Sequence, residues 1–141
     1  MTTGTAGVYE RQDPRQVANT LKRTTRFNDV GIGASNGVAW DNYLPTAAFI
    51  LRVLTEITQV FNAVTTNVYT VGSNAGSINN IVAAGDVNPL ALGVYESTRS
   101  YGRALTASAP ILPASKYTQS GTAATTGTAI TVIEFEGGWA T

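Results

Sequence analysis

The longest apolar segment of the chain, residues 47–61, reads AAFILRVLTEITQVF and constrains the fold more than any other feature. It is shorter than the about 20 apolar residues that span a bilayer. Its β-branched and aromatic residues favour a β-strand, although Ile50, Leu54 and Ile57 also fit the spacing of an amphipathic helix. As a strand, the segment has two faces, and one of them carries Phe49, Leu51, Val53, Thr55 and Ile57.

Shorter strand candidates recur along the chain at intervals of about ten residues, a spacing typical of an antiparallel β-sandwich or jelly roll. We predict strands at residues 38–40, 67–72, 90–96 and 99–105, and a short helical turn at residues 78–84. The chain then closes with a hairpin, in which residues 116–120 and 128–135 pair across the flexible tip GTAATTG. The fold is therefore predicted to be all-β, and its expected core includes Phe49, Leu51, Val53, Ile57, Val71, Ile130, Val132 and Ile133.

Residues 1–30 differ from the rest of the chain in charge. They hold five of the nine basic residues, namely Arg11, Arg15, Lys22, Arg23 and Arg26. Asp13 and Pro14 suit the cap and first position of a short helix, and Lys22 and Arg23 suit its negative C-terminal end. We therefore expect an extended N-terminal arm with one short helix at residues 1–30, followed by a β-sandwich domain at residues 31–141.

The expected arm is too poor in apolar residues to fold alone. A helix of about ten residues is marginal in isolation, and ordering each residue costs about 1–2 kcal/mol of backbone entropy. We therefore predict that the arm docks on a partner subunit, with Val17, Leu21 and Phe27 as apolar anchors. Arg11, Arg15, Lys22, Arg23 and Arg26 would meet acidic groups at the rim of that contact, where each pair is worth at most about 1 kcal/mol.

The overall charge and the missing residue types exclude several classes of function. Nine basic and nine acidic residues give no net charge, which argues against nucleic-acid binding by bulk electrostatics. The chain has no cysteine and no histidine, so it lacks thiolate nucleophiles and the commonest general base and zinc ligand. The first ten residues lack the basic start and apolar stretch of a signal peptide. We expect no enzyme activity, no cofactor, no bound metal, no small-molecule substrate and no membrane association.

The remaining candidate sites are weak. Glu134 and Glu136 share one face of the last strand, whereas glycosidase carboxylates face each other across the scissile bond. Residues 31–37 miss the glycine spacing of a dinucleotide-binding loop. Scattered aromatic residues leave a carbohydrate-binding surface as an alternative, and the side chains concerned are Tyr43, Tyr69, Tyr95, Tyr101, Tyr117 and Trp139.

From Ala47 onward the organisation resembles that of small virion proteins of tailed bacteriophages. The resemblance rests on the long apolar strand, on the segment IVAAGDVN and on the closing segment YTQSGTAATTGTAITVIEF. It implies a capsid cement or decoration protein, which is a β-sandwich protein, often trimeric, that sits on the outside of the capsid lattice. The implied partner is the major capsid protein, the implied location is the capsid surface, and no catalytic residues belong to the pattern. A carbohydrate-binding tail or fibre module and a head-completion or tail subunit remain alternatives.

Overall fold

The computed structural model describes residues 19–73, 78–97, 106 and 108–137. Within these ranges the chain forms seven β-strands and no helix, which confirms the predicted all-β class. The strands are β1 (Asn19–Arg26), β2 (Val38–Ala39), β3 (Ala48–Gln59), β4 (Thr66–Gly72), β5 (Gly93–Glu96), β6 (Ala114–Ser120) and β7 (Thr128–Gly137). The long apolar segment is thus a strand, because its β-branched residues pack better on a pleated sheet than on a helix.

The strands form two antiparallel sheets. The first sheet has the order β1-β7-β3-β5, and the second has the order β2-β6-β4. The sheets enclose one hydrophobic core, to which Ile50, Val53 and Ile133 contribute from the first sheet and Tyr69 and Tyr117 from the second. The architecture is therefore a β-sandwich of four and three strands.

The predicted closing hairpin is wrong. Residues 114–120 form β6, which pairs with β4 and β2, whereas residues 128–137 form β7, which pairs with β1 and β3. The connection at residues 121–127 therefore crosses from one sheet to the other. Asn62 holds this connection, since its Nδ2 donates to Thr125 Oγ1 at 3.0 Å and its Oδ1 accepts from the Thr125 N–H at 2.8 Å.

The predicted face of the long strand is correct in its second half and wrong in its first. Val53 and Ile57 are buried as expected, but Phe49 is 49% exposed and Leu51 is 42% exposed. The pairing of β3 with β7 is irregular between Ile50 and Arg52. Such a β-bulge inserts one residue, so the buried face changes from even to odd positions along the strand.

Two other expected core residues and one local prediction also differ. Ile130 and Val132 are half-buried, because they lie on the outer side of β7, whose inner side carries Ala129 and Ile133. The expected helical turn at residues 78–84 is not helical: the segment bends at residues 80–81, and Val82 forms a β-bridge with Val71. The expected strand at residues 99–105 lies outside the described part of the chain.

The N-terminal strand corrects the expected helix. Residues 13–18 lie outside the described residues, but Lys22 and Arg23, expected at the helix end, lie in β1. All eight residues of β1 pair with β7, and the alternation of β1 buries Thr25 while exposing Lys22. Pairing with β7 satisfies backbone hydrogen bonds of β1 within the sheet, whereas an isolated helix of about ten residues is only marginally stable. The predicted boundary between an arm at residues 1–30 and a domain at residues 31–141 stays a prediction. β1 lies within the predicted arm.

Candidate assembly surface

The predicted contact residues are spread over both sides of β1. Leu21 and Phe27 are partly buried and pack against the core of this same domain. Lys22 and Arg26 are exposed on the outer side of the first sheet. Arg11, Arg15 and Val17 lie outside the described residues. The contact of this set with a partner subunit stays a prediction.

Arg23 differs from its basic neighbours because its side chain joins the two sheets. Its Nη1 donates to the carbonyl oxygen of Ala39, on β2, at 3.0 Å. The same atom lies 4.0 Å from Asp41 Oδ1, which is exposed to solvent. Arg23 therefore has a structural partner within its own chain.

The outer side of the first sheet is a mixed polar and apolar surface. Cross-strand pairing arranges it in rows, and one row runs from Lys22 through Val132 and Leu54 to Glu96. The next row runs through Thr24, Ile130, Glu56 and Val94. Both rows have half-buried aliphatic residues at β7.

One ion pair is already formed on this surface. Arg52 Nε donates to Glu134 Oε1 at 2.9 Å, and the two residues are cross-strand partners on β3 and β7. Both side chains are partly exposed, so the pair contributes at most about 1 kcal/mol. Glu134 is thus engaged with an arginine, which further weakens its case as a catalytic partner of Glu136.

Exposed aliphatic residues cluster at the β5 side of the surface. Leu90 and Leu92, in the segment that leads into β5, are 58% and 66% exposed, and Val94 within β5 is 63% exposed. Apolar side chains grouped in this way mark contact surfaces more often than isolated ones do. The sequence alone did not identify this group, because its exposure depends on β5 having an outer side free of other described strands.

The interior holds polar groups that serve the fold. Tyr69 Oη hydrogen-bonds with Thr131 Oγ1 at 2.7 Å, and Trp40 Nε1 donates to Ser115 Oγ at 2.8 Å. Burial raises the pKa of the Tyr69 hydroxyl, and its hydrogen bonds with Ser115 and Thr131 oppose that rise. Burial also raises the pKa of Tyr117. Tyr69 and Tyr117 are fully buried, so they cannot offer a ring face to a sugar.

Metal-ligating side chains do not cluster among the described residues. No group of three acidic side chains lies close enough to hold a metal ion in this part of the chain. A depression of about 190 Å³, lined by residues that include Asn36, Ser73 and Ile78, is smaller than the about 300–1,000 Å³ of typical ligand sites. Among the same residues, no helix is long and apolar enough to cross a membrane.

Comparison with known proteins yields a fold relationship. No protein family matches the chain, and none of the curated proteins does. The fold is similar to that of a chain in the acidic-stable capsid structure of Helicobacter pylori bacteriophage KHP30, with a TM-score of 0.54 and 17% sequence identity. The match covers 87% of this chain and 90% of that chain.

Proposed function

We propose that the chain is a structural virion protein of a tailed bacteriophage, and that it acts as a cement or decoration protein. In this role it binds the outer surface of the major capsid lattice as a homotrimer and stabilises the shell. It needs no cofactor, no metal and no small-molecule substrate for this task. It works by covering surface, without catalysing a reaction.

The observation that carries the proposal is the fold similarity to a chain of a phage capsid structure. The shares of the two chains that match, 87% and 90%, are nearly equal, so the two chains have comparable lengths. A short β-sandwich in a capsid suits a subunit that is added to a shell. The resemblance of the segments after Ala47 to small phage virion proteins points to the same role.

The surface chemistry of the described residues supports a binding role. The outer side of the first sheet combines exposed aliphatic residues with charges of both signs, as protein interfaces do at their core and rim. Because the chain has no net charge, long-range repulsion between copies is small. Both properties favour association with other protein subunits.

Co-expression with the major capsid protein encoded in the same genome tests the proposal. Shells are purified on a density gradient with and without this chain and imaged by electron cryo-microscopy. We expect the chain to co-sediment with shells, to appear as a two-sheet density on their outer surface and to raise their melting temperature. Shells that neither retain the chain nor gain stability would contradict a cement role, and localisation to the tail would favour a tail subunit.

The N-terminal arm is part of the proposal. We propose that residues 1–18, with Arg11, Arg15 and Val17, contact a neighbouring capsid subunit. Deletion of residues 1–18 keeps β1, and with it the core contacts of Leu21 and Phe27. Shell binding by this variant at full strength would contradict the arm contact, provided that circular dichroism shows an intact β-sandwich.

A further inference from the structure

The two edges of the first sheet carry opposite charges. Within the described residues, β1 and β5 are its outermost strands. We call β1, with its exposed Lys22 and Arg26, the basic edge. We call β5, with its exposed Glu96 and the adjacent Glu56 of β3, the acidic edge.

The opposite charges cannot meet within one copy. Lys22 and Glu96 end the same cross-strand row, but three strand spacings of about 4.8 Å separate them, about 14 Å in all. Neither residue forms an ion pair with another described residue. By contrast, Arg52 and Glu134 lie on adjacent strands of the same face and bond at 2.9 Å. The charges at the edges are thus placed for groups beyond the sheet.

The strand directions allow the sheet to continue into a second copy. Every pair in the order β1-β7-β3-β5 is antiparallel, so β1 and β5 run in opposite directions. A second copy placed beside the first in the same orientation therefore sets its β1 antiparallel to β5. Residues 22–25 of β1 and 93–96 of β5 pair with described strands on one side only, so their other backbone groups can form a ladder with the second copy, as in other cases of strand addition.

One register of this contact satisfies the outward side chains. If the row through Lys22 and Glu96 continues, Glu96 of one copy faces Lys22 of the next, and Val94 faces Thr24. Leu92 then comes opposite Arg26, whose aliphatic stem can cover an apolar surface while its head stays in water. The exposed aliphatic group at the acidic edge would lose contact with water in the same step.

We propose that the basic edge of one copy binds the acidic edge of the next, with Lys22 paired to Glu96. This contact is the interface between copies in the homo-oligomer of the proposed function. The inference therefore rests on the homo-oligomer, which is one part of that proposed function. The interface is heterologous, because different surfaces of the two copies meet; such contacts close into a ring when the rotations between neighbouring copies add up to a full turn. The charge pair selects partner and register, and the strand ladder and aliphatic contacts hold the copies together.

Charge reversal in the full-length chain tests the contact. Sedimentation velocity over a concentration series is compared for the natural chain, Lys22→Glu, Glu96→Lys and the variant with both changes. Each single change places like charges opposite each other, so we expect self-association to weaken about tenfold or more. The double change restores opposite charges, and we expect it to recover association.

Two control variants match the charge changes elsewhere on the molecule. Glu136→Lys alters an exposed residue of the interior strand β7, and Lys116→Glu alters a residue of the second sheet. Both should associate as the natural chain does. Circular dichroism checks that all variants keep their β-sheet.

Three outcomes would overturn the proposal. They are a natural chain that is monomeric at every concentration, single variants that associate normally, and a double variant that fails to recover. Either of the last two would indicate that Lys22 and Glu96 do not pair between copies and that charges at these edges serve only to prevent unspecific strand pairing. Shell binding by a strictly monomeric chain would contradict the edge contact and support the cement role. Self-association through the edges without shell binding would support the edge contact and contradict the cement role.

Discussion

The hydroxyl of Tyr69 on β4 hydrogen-bonds with the hydroxyl of Thr131 on β7 at 2.7 Å, and so joins the two sheets through the core. Thr131 also hydrogen-bonds with Thr55 on β3 at 3.0 Å, while Trp40 donates to Ser115 on β6. Buried hydroxyl groups that are satisfied in this way restrict how the two sheets can be placed relative to each other.

Tyr69→Phe tests this link. The change removes the buried hydrogen bond with Thr131 and the longer one with Ser115 and keeps the ring, while Thr131 retains its bond with Thr55. We therefore expect the free energy of unfolding to fall by about 1–2 kcal/mol. Urea denaturation measures it, with Tyr43→Phe as the control because Tyr43 is exposed. Equal stability of the two variants would show that the link contributes nothing.

The alkaline stability of the protein should depend on the same residue. Burial raises the pKa of Tyr69 above the ordinary value of about 10. The unfolded chain therefore loses this proton at lower pH than the folded chain does. The stabilisation is complete below about pH 10 and is lost as the pH rises above that value. Unfolding free energies at pH 8 to 11, about the range that brackets this titration, should fall less steeply for Tyr69→Phe than for the natural chain.

Thr25→Val is expected to maintain or raise the free energy of unfolding, unlike Tyr69→Phe, which should lower it. Thr25 Oγ1 is buried and has no hydrogen-bond partner of normal geometry among the described residues, although it lies near the Tyr69 hydroxyl and opposes the rise in the pKa of that group. Valine has nearly the same shape and leaves no polar atom unsatisfied, so stability should stay constant or rise by about 1 kcal/mol. Thr131→Val is the matched control, because it removes a hydroxyl that bonds with both Tyr69 and Thr55. A larger loss at Thr25 than at Thr131 would contradict this prediction.

Gly127→Ala should destabilise the end of the crossing connection. A Cβ atom at this position would lie 2.3 Å from Phe61 Cδ2, and the residue has a φ of +145°. Steric overlap and backbone strain together should cost about 2–5 kcal/mol. Gly85→Ala is the control, since its Cβ meets nothing within 4 Å. Thermal unfolding of the two variants gives the comparison, and similar melting temperatures would contradict the prediction.

The positions of the strands could be predicted from the sequence better than the pairing between them. The β-branched residues of the segment at 47–61 identified a strand, and alternation placed Val53 and Ile57 correctly in the core. The bulge after Ile50 has no local signature, so Phe49 and Leu51 were assigned to the wrong face. A turn-like tip predicted a hairpin, because the sequence between two strands does not reveal whether they join one sheet or two.

The candidate surface was harder to predict for a related reason. Val94 and Glu96 can be identified as surface candidates only from the sheet order, in which β5 is an outermost strand among the described residues. Lys22 was predicted to be a contact residue at the end of a helix, whereas residues 19–26 form a strand; its contact with a partner stays a prediction. Long-range pairing therefore carries most of the information about this surface, and a single sequence shows little of it.

The central position of β7 has a consequence for synthesis of the protein. β7 lies between β1 and β3, and it follows both of them in the chain as the last of the described strands. Until residues 128–137 leave the ribosome, β1 lacks the strand with which all eight of its residues pair, and β3 lacks the strand that pairs along most of its length. Such non-local pairing slows folding. The first sheet can therefore assemble only after residues 128–137 have been synthesised.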